Sequence, residues 1–141
     1  MPIHELFGTQ KLAVLATQSN GQPYTSLVAF SASGDLASIY FATSNTTYKY
    51  SNLTNDNRVA VLVNNSNNQT VNFQQAIAVS AIGKAQAVIE SDKPAILKQY
   101  LAKHPHLEEF ASSPTCALVR ISVKTYYLVT NFQDVRDIHI S

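Results

Sequence analysis

The chain is expected to be mainly β: a small antiparallel barrel of six to seven strands, decorated by two or three helices. Three observations predict it. About seven apolar runs of strand length are separated by turn residues. Helical spacing is clear only once, at Ile96, Leu97, Tyr100 and Leu101. The apolar run over residues 76–89 carries Gly83 in its middle, where a strand turning a barrel corner needs a bend or bulge. At 141 residues, 45% hydrophobic and 13% charged, the chain fits one domain with a core of its own.

Residues 11–17, Lys-Leu-Ala-Val-Leu-Ala-Thr, read as a strand closed by the turn cluster Ser19-Asn20-Gly21-Gln22-Pro23. Residues 24–32 form the returning strand, and Ser33-Gly34-Asp35 turns the chain into a third over 38–43. The stretch 46–56 lacks Gly and Pro and places Tyr50, Leu53 and Asn57 on roughly one face, which predicts a short helix. Residues 58–64, Arg-Val-Ala-Val-Leu-Val-Asn, return to strand, followed by a polar loop from 64 to 69. After the Gly83-centred strand, Ser91-Asp92 opens a helix with Pro94 in its first turn, and His104-Pro105 stops it; residues 106–111 add one more turn. Residues 116–129 are strand-like throughout, and beyond a turn near Thr130-Asn131 a last strand carries Val135, Ile138 and Ile140.

Ten Lys and Arg against nine Asp and Glu leave a net charge of +1, scattered along the chain, so nucleic acid is not an expected partner. No apolar run approaches the roughly 20 residues of a membrane span, and the first residues show no basic start with a long apolar core. A cytoplasmic protein without a membrane partner is expected. The glycosylation patterns at Asn45, Asn52, Asn64 and Asn68 then carry no meaning. Cys116, the only cysteine, lies in an apolar run and reads as a buried, inert thiol. Hydrolase, kinase and dinucleotide signatures are missing, and His4, His104, His106 and His139 show no metal-ligand spacing; His104 and His106, at a helix end, are expected on the surface.

What remains is the strand-to-helix junction Ala42-Thr43-Ser44-Asn45-Thr46-Thr47-Tyr48-Lys49. A helix start offers unpaired N–H groups and partial positive charge, so an anion such as a phosphate fits among the hydroxyls there. Lys49, within the first turn, opposes the helix dipole unless an anion is present. The same residues also read as an ordinary Thr cap beside a solvated lysine, and spacing alone leaves both readings open.

In this context the sequence resembles the flavin-binding split barrels related to pyridoxamine 5'-phosphate oxidase. Residues 39–63 look like that family's strand, phosphate turn, helix and following strand without a gap. Leu12 to Phe30, with Asn20-Gly21-Gln22-Pro23 at the turn, is similar to its opening hairpin, and Gly83-Lys84-Ala85 resembles a segment of its long central strand. The resemblance implies a six- to seven-stranded antiparallel split barrel of FMN-binding type, a homodimer with FMN in a cleft between subunits, and a small-molecule substrate. It implies that Thr43, Thr47 and Lys49 contact the phosphate, with Ala42, Ser44 and Tyr48 beside them. Thr25, Ser26, Leu27 and Val28 match the strand that lines the flavin, and Gln75 and Phe132 are candidates from the second subunit.

Departures shape the functional expectation. Where the oxidase has an Arg and a Lys bracketing its flavin-lining strand, Thr25 and Phe30 stand here; its second phosphate arginine is Tyr48, a glutamine of its central strand is Ala78, and the chain has no Trp. The resemblance therefore implies an FMN flavoprotein, an oxidoreductase on a small substrate other than pyridoxamine 5'-phosphate, with no catalytic side chain of its own. The alternative is a non-catalytic barrel holding haem, stored flavin or another flavin-like ligand.

Overall fold

A computed structural model describes residues 2–65, 76–130 and 134–140. The polar loop expected after residue 65, the turn at Asn131, and the candidates Gln75 and Phe132 lie outside the described residues.

Seven strands form one antiparallel sheet: β1 (Leu12–Ser19), β2 (Gln22–Ala32), β3 (Ser38–Ser44), β4 (Arg58–Asn64), β5 (Ile77–Ala87), β6 (Cys116–Thr130) and β7 (Asp134–His139). Their order is β3-β2-β1-β4-β5-β6-β7, and an additional β3–β6 pairing closes the first six into a barrel, leaving β7 as an extra strand. The helices are α1 (Pro2–Thr9), α2 (Tyr48–Asn55), α3 (Lys93–Lys103) and α4 (Glu108–Ala111), with a 3₁₀ turn at Pro105–Leu107.

The β1–β2 hairpin turns on Asn20 and Gly21, at φ 50 and 83, the left-handed pair that an Asn-Gly dipeptide adopts most cheaply. Alternation then sends Ala13, Leu15 and Thr17 inward from β1. The interior also holds Phe30, Phe41, Val61, Val79, Ile121 and Tyr126. One end is filled by α1, whose Ile3, Leu6 and Phe7 are buried, with the Phe7 ring edge-on to Phe30 at 5.3 Å. This helix had no counterpart among the expected elements, although its apolar residues follow helical spacing.

Gly83 sits where the expected corner is. Ile82 pairs with Thr125 but Gly83 pairs with Val123, so β6 bulges by one residue at Lys124. Before the bulge β6 pairs with β3, from Cys116 to Ser122; after it, with β7, from Thr125 to Thr130. The bend hands one edge of β6 from the barrel to the extra strand.

Helix α2 starts at Tyr48, later than expected, because Thr47 is its cap: the Thr47 hydroxyl accepts from the Tyr50 N–H at 3.3 Å. Its inner face is Asn52 and Leu53 with Tyr50, while Asn57 is exposed beyond the helix end. The Asn52 amide donates to the Thr17 hydroxyl at 3.1 Å, which makes this glycosylation pattern part of the core. In β7, Ile138 packs against the core, as does Ile140 just past the strand, whereas Val135 is exposed.

His104 corrects the expectation of a surface residue. It is 1% exposed, and its Nε2 lies 2.7 Å from the Phe30 carbonyl. A carbonyl only accepts, so Nε2 carries the proton of a neutral ring. The cap of α3 thus turns into the protein because β2 presents a carbonyl for it. Burial holds the His104 pKa below the usual histidine value; the bond to Phe30 opposes the shift, and Lys103, Lys11 and His106 add to it. The unfolded chain therefore binds this proton more readily than the folded one. The contribution of His104 to stability is complete above about pH 6.5 and is lost as pH falls toward its depressed folded value. Urea midpoints between pH 7.5 and 5 should fall with acid in the natural chain and fall less in His104→Gln; parallel profiles would remove His104 from the acid response.

Candidate functional site

β2 and β3 are paired for only three residues, Phe30–Ala32 against Ile39–Phe41. Beyond this, residues 22–29 of β2 stay on β1, and residues 42–44 of β3 stay on β6. The two strands part where Ala29 would face Ala42. A cleft of about 260 Å³ opens in the gap, lined on the β2 side by Leu27, Val28 and Ala29 and on the β3 side by Ala42, Thr43 and Ser44. Thr47 and Lys49 close one end; Tyr100, Leu107 and Phe110, from α3 to α4, form the remaining wall.

At the Lys49 end the hydroxyls form a linked set. Thr43 Oγ1 lies 3.1 Å from Thr47 Oγ1, Thr47 also donates to the Ser44 carbonyl at 3.0 Å, and Ser44 Oγ is 2.9 Å from Thr46 Oγ1. The ordinary cap is therefore present, and it orients the hydroxyls next to Lys49. Neither ion pair found among the described residues, Arg58–Asp56 and Arg120–Asp92, involves Lys49. Arg58, with Gln18, grips Asp56 at the entry to β4, and the guanidinium holds that carboxyl well below the usual range.

Of the residues expected at the site, Leu27, Val28, Ala42, Thr43, Ser44, Thr47 and Lys49 line one cleft. Thr25 and Ser26 lie farther along β2, outside the lining. Phe30 donates its N–H to the Lys11 carbonyl on the β1 side, so strand alternation turns the backbone groups of Thr25, Leu27 and Ala29 toward the gap. The Ser26 hydroxyl is buried without a hydrogen-bond partner among the described residues. Tyr48 points away: it is 76% exposed, with its ring 6.1 Å from that of Tyr24.

Tyr100, Leu107 and Phe110 were not foreseen. Tyr100 is 1% exposed, and its hydroxyl donates to the Ala29 carbonyl at 2.9 Å. Burial pushes its phenol up to about 12, against the lowering effect of the Ala42 N–H. The available signal was a tyrosine on the buried face of a helix, whose hydroxyl needs a partner inside the protein. Cys116 is buried as expected, its thiol pKa raised by burial. Among the described residues no cluster of His, Cys, Asp and Glu is placed to hold a metal, and no helix is long and apolar enough to cross a membrane.

The outer face of the sheet continues from this cleft. Registers align Leu27, Val14, Leu62, Ser80 and Tyr127 in one row across five strands, and Thr25, Ala16, Ala60, Ile82 and Thr125 in the next. Across these five strands neither row carries a charge, the next residues in β7 being Asp137 and His139, and Leu27, Leu62, Ile82 and Tyr127 are 64%, 37%, 39% and 37% exposed.

A family model described as pyridoxamine 5'-phosphate oxidase matches residues 2–130. A search of curated proteins returns no match. Among solved structures, the chain is similar to General Stress Protein 26 from Bacillus anthracis, with 18% identity and a TM-score of 0.74, covering 98% of this chain and 95% of that one. It is similar to an FAD-binding protein from Mesorhizobium loti, with 19% identity and a TM-score of 0.70 over 89% of each chain. A heme binding protein from Mycobacterium smegmatis superposes with 14% identity and a TM-score of 0.84, covering 95% of this chain and 55% of that one. The chain thus spans about half of that last protein, and at these identities the likeness is one of fold.

Proposed function

Because this chain belongs to the pyridoxamine 5'-phosphate oxidase family, we propose that it is a cytoplasmic, homodimeric flavoprotein that holds FMN in the β2–β3 cleft and acts as an oxidoreductase on a small substrate. The observation that carries the reading is the opened ladder itself, with a lysine at one end that has no carboxylate partner among the described residues. Lys49 and the hydroxyls of Thr43, Ser44 and Thr47 suit an anionic phosphate. The backbone groups of Thr25 and Leu27, left without a ladder partner on this side among the described residues, suit the polar edge of a ring system, and the Ser26 hydroxyl, likewise without a partner among them, lies on the same stretch. Leu27, Leu107 and Phe110 give the cleft an apolar wall for the ring system.

Bound FMN supplies the redox chemistry, so the chain needs to bind, orient and shield rather than to contribute a catalytic side chain. Haem fits less well. Among the described residues no His, Cys or Met lines the cleft, and the hydroxyl of the one tyrosine that does is engaged with β2. A single cationic side chain in the lining among the described residues, Lys49, favours one phosphate group and argues against a second phosphorylated molecule such as pyridoxamine 5'-phosphate.

Two observations support the homodimer. The cleft, about 260 Å³, is smaller than the roughly 300–1,000 Å³ of typical ligand pockets, so one protomer covers a nucleotide only in part. The uncharged outer face begins at Leu27, on the cleft, and a second copy would cover both. Leu62→Asp, which puts a charge mid-face without touching the cleft, should weaken dimerisation at least about tenfold in sedimentation equilibrium, since a buried unpaired charge is costly. A dimer of unchanged strength would move the interface elsewhere.

The direct test is a titration with FMN. A yellow protein, or a colourless one whose melting temperature rises with excess FMN, supports the reading; no flavin and no shift removes it. Turnover with reduced nicotinamide and an artificial acceptor then separates an oxidoreductase from a storage barrel.

A further inference from the structure

The register of β2 and β3 makes Ala29 and Ala42 the next pair after Phe30 and Phe41. Strand alternation turns the backbone groups of both toward each other, so they would exchange hydrogen bonds if the ladder continued. It does not continue. Tyr100 Oη stands at this gap, donating to the Ala29 carbonyl at 2.9 Å, and the Ala42 N–H on the other strand opposes the rise of its phenol pKa. We propose that the Tyr100 hydroxyl, bonded to the Ala29 carbonyl and taking the Ala42 N–H as its second partner, replaces the missing rung between β2 and β3, acting as a positioning residue that holds the strands apart and sets where the cleft begins.

Three features make it suited to this. Helix α3 is pinned to β2 by residues flanking Tyr100 along the helix, Gln99 Nε2 donating to the Ala32 carbonyl at 3.0 Å and His104 Nε2 to the Phe30 carbonyl at 2.7 Å, both on the paired side of Ala29. The tyrosine therefore cannot withdraw without breaking neighbouring bonds. A bridge of two hydrogen bonds through one oxygen also separates the strands by roughly 2 Å more than a direct rung, given ordinary bond lengths. Finally, the phenol must stay protonated to donate to Ala29, and burial ensures that it does across the physiological range. The chain thus uses a side chain from α3 to open a sheet that its strand residues would otherwise close, and Tyr100 becomes the floor of the cleft.

Hydrogen exchange on the ligand-free chain tests the rung without reference to any cofactor. In the natural chain the Ala42 amide should exchange at least about 100-fold more slowly than an open-chain amide, although no backbone acceptor faces it. In Tyr100→Phe, which keeps the ring, its rate relative to the core amide of Val63 should change at least tenfold. The rate rises if the gap persists and falls if the strands zip together; either change supports the rung. Open-chain exchange in the natural protein, or an unchanged Ala42-to-Val63 ratio in the variant, overturns it.

The second arm rests on the proposed FMN site. If the hydroxyl sets the cleft, Tyr100→Phe should bind FMN at least tenfold more weakly at a temperature where it is fully folded. Unchanged FMN affinity would reduce Tyr100 to an edge patch and overturn its positioning role. If the natural chain binds no FMN, the cofactor reading fails while the exchange measurement still decides the rung.

Discussion

Replacing Lys49 by Ala should weaken FMN binding by about 10- to 150-fold, corresponding to the loss of about 1.5–3 kcal/mol for one charge-assisted contact. The same substitution should not harm the ligand-free chain. Lys49 lies in the first turn of α2 and has no carboxylate partner among the described residues, so its charge opposes the helix dipole. Removing it should leave the apo melting temperature unchanged or slightly higher. This opposite pair of effects, weaker binding with an equal or firmer apo fold, distinguishes a binding lysine from a structural one, and Lys49→Arg should retain most of the affinity. FMN titrations of the variants by flavin fluorescence, beside apo melting curves, provide both readings. Equal affinity in Lys49→Ala would take the lysine out of the site and leave the hydroxyls without a charged partner.

The largest stability loss is expected at Gly83. A Cβ built there would lie 2.2 Å from the Ser122 carbonyl oxygen, 3.0 Å from its carbon and 3.1 Å from the Val123 Cα. All three atoms are backbone, so no side-chain rotation can relieve the clash, and they belong to the segment of β6 that bulges to turn the corner. Gly83→Ala should therefore cost about 3 kcal/mol, at the upper end of overpacking changes, and lower the melting temperature by about 10 °C. Gly34→Ala is the matched control: no atom lies within 4 Å of the added Cβ, and its effect should stay within about 0.5 kcal/mol. Urea denaturation with an unchanged slope would measure both, and near-equal midpoints would show that β6 can shift away at little cost.

These two positions show how far local sequence reaches. Gly83 was legible as a corner because a glycine inside a long apolar run has few other uses. Thr47 and Lys49 were legible because helix starts have strong chemical preferences, and their hydroxyl cluster required no knowledge of the rest of the chain. The limits appear just beyond them. Thr25 and Ser26 were assigned along with Leu27 and Val28 from one continuous stretch, yet only the latter two line the cleft, because the third wall does not extend as far as the strand does. Helix α1 was missed although Ile3, Leu6 and Phe7 have helical spacing, since eight residues are too short for periodicity to stand out.

By itself the sequence determined the strands, the Asn20-Gly21 hairpin and the capped junction before Lys49, because each follows from sterics and hydrogen bonding among residues close along the chain; it marked the bend at Gly83, whose cause is the backbone of Ser122 and Val123 on β6. Tertiary structure alone decided that β2 and β3 part after three pairs, that Tyr100, Leu107 and Phe110 wall the gap, and that His104 turns inward. Tyr100 and His104 meet β2 across separations of 71 and 74 residues. Those bonds form only once the barrel has closed and β2 presents carbonyls to which no strand among the described residues donates, a condition set by the whole fold rather than by any segment of it.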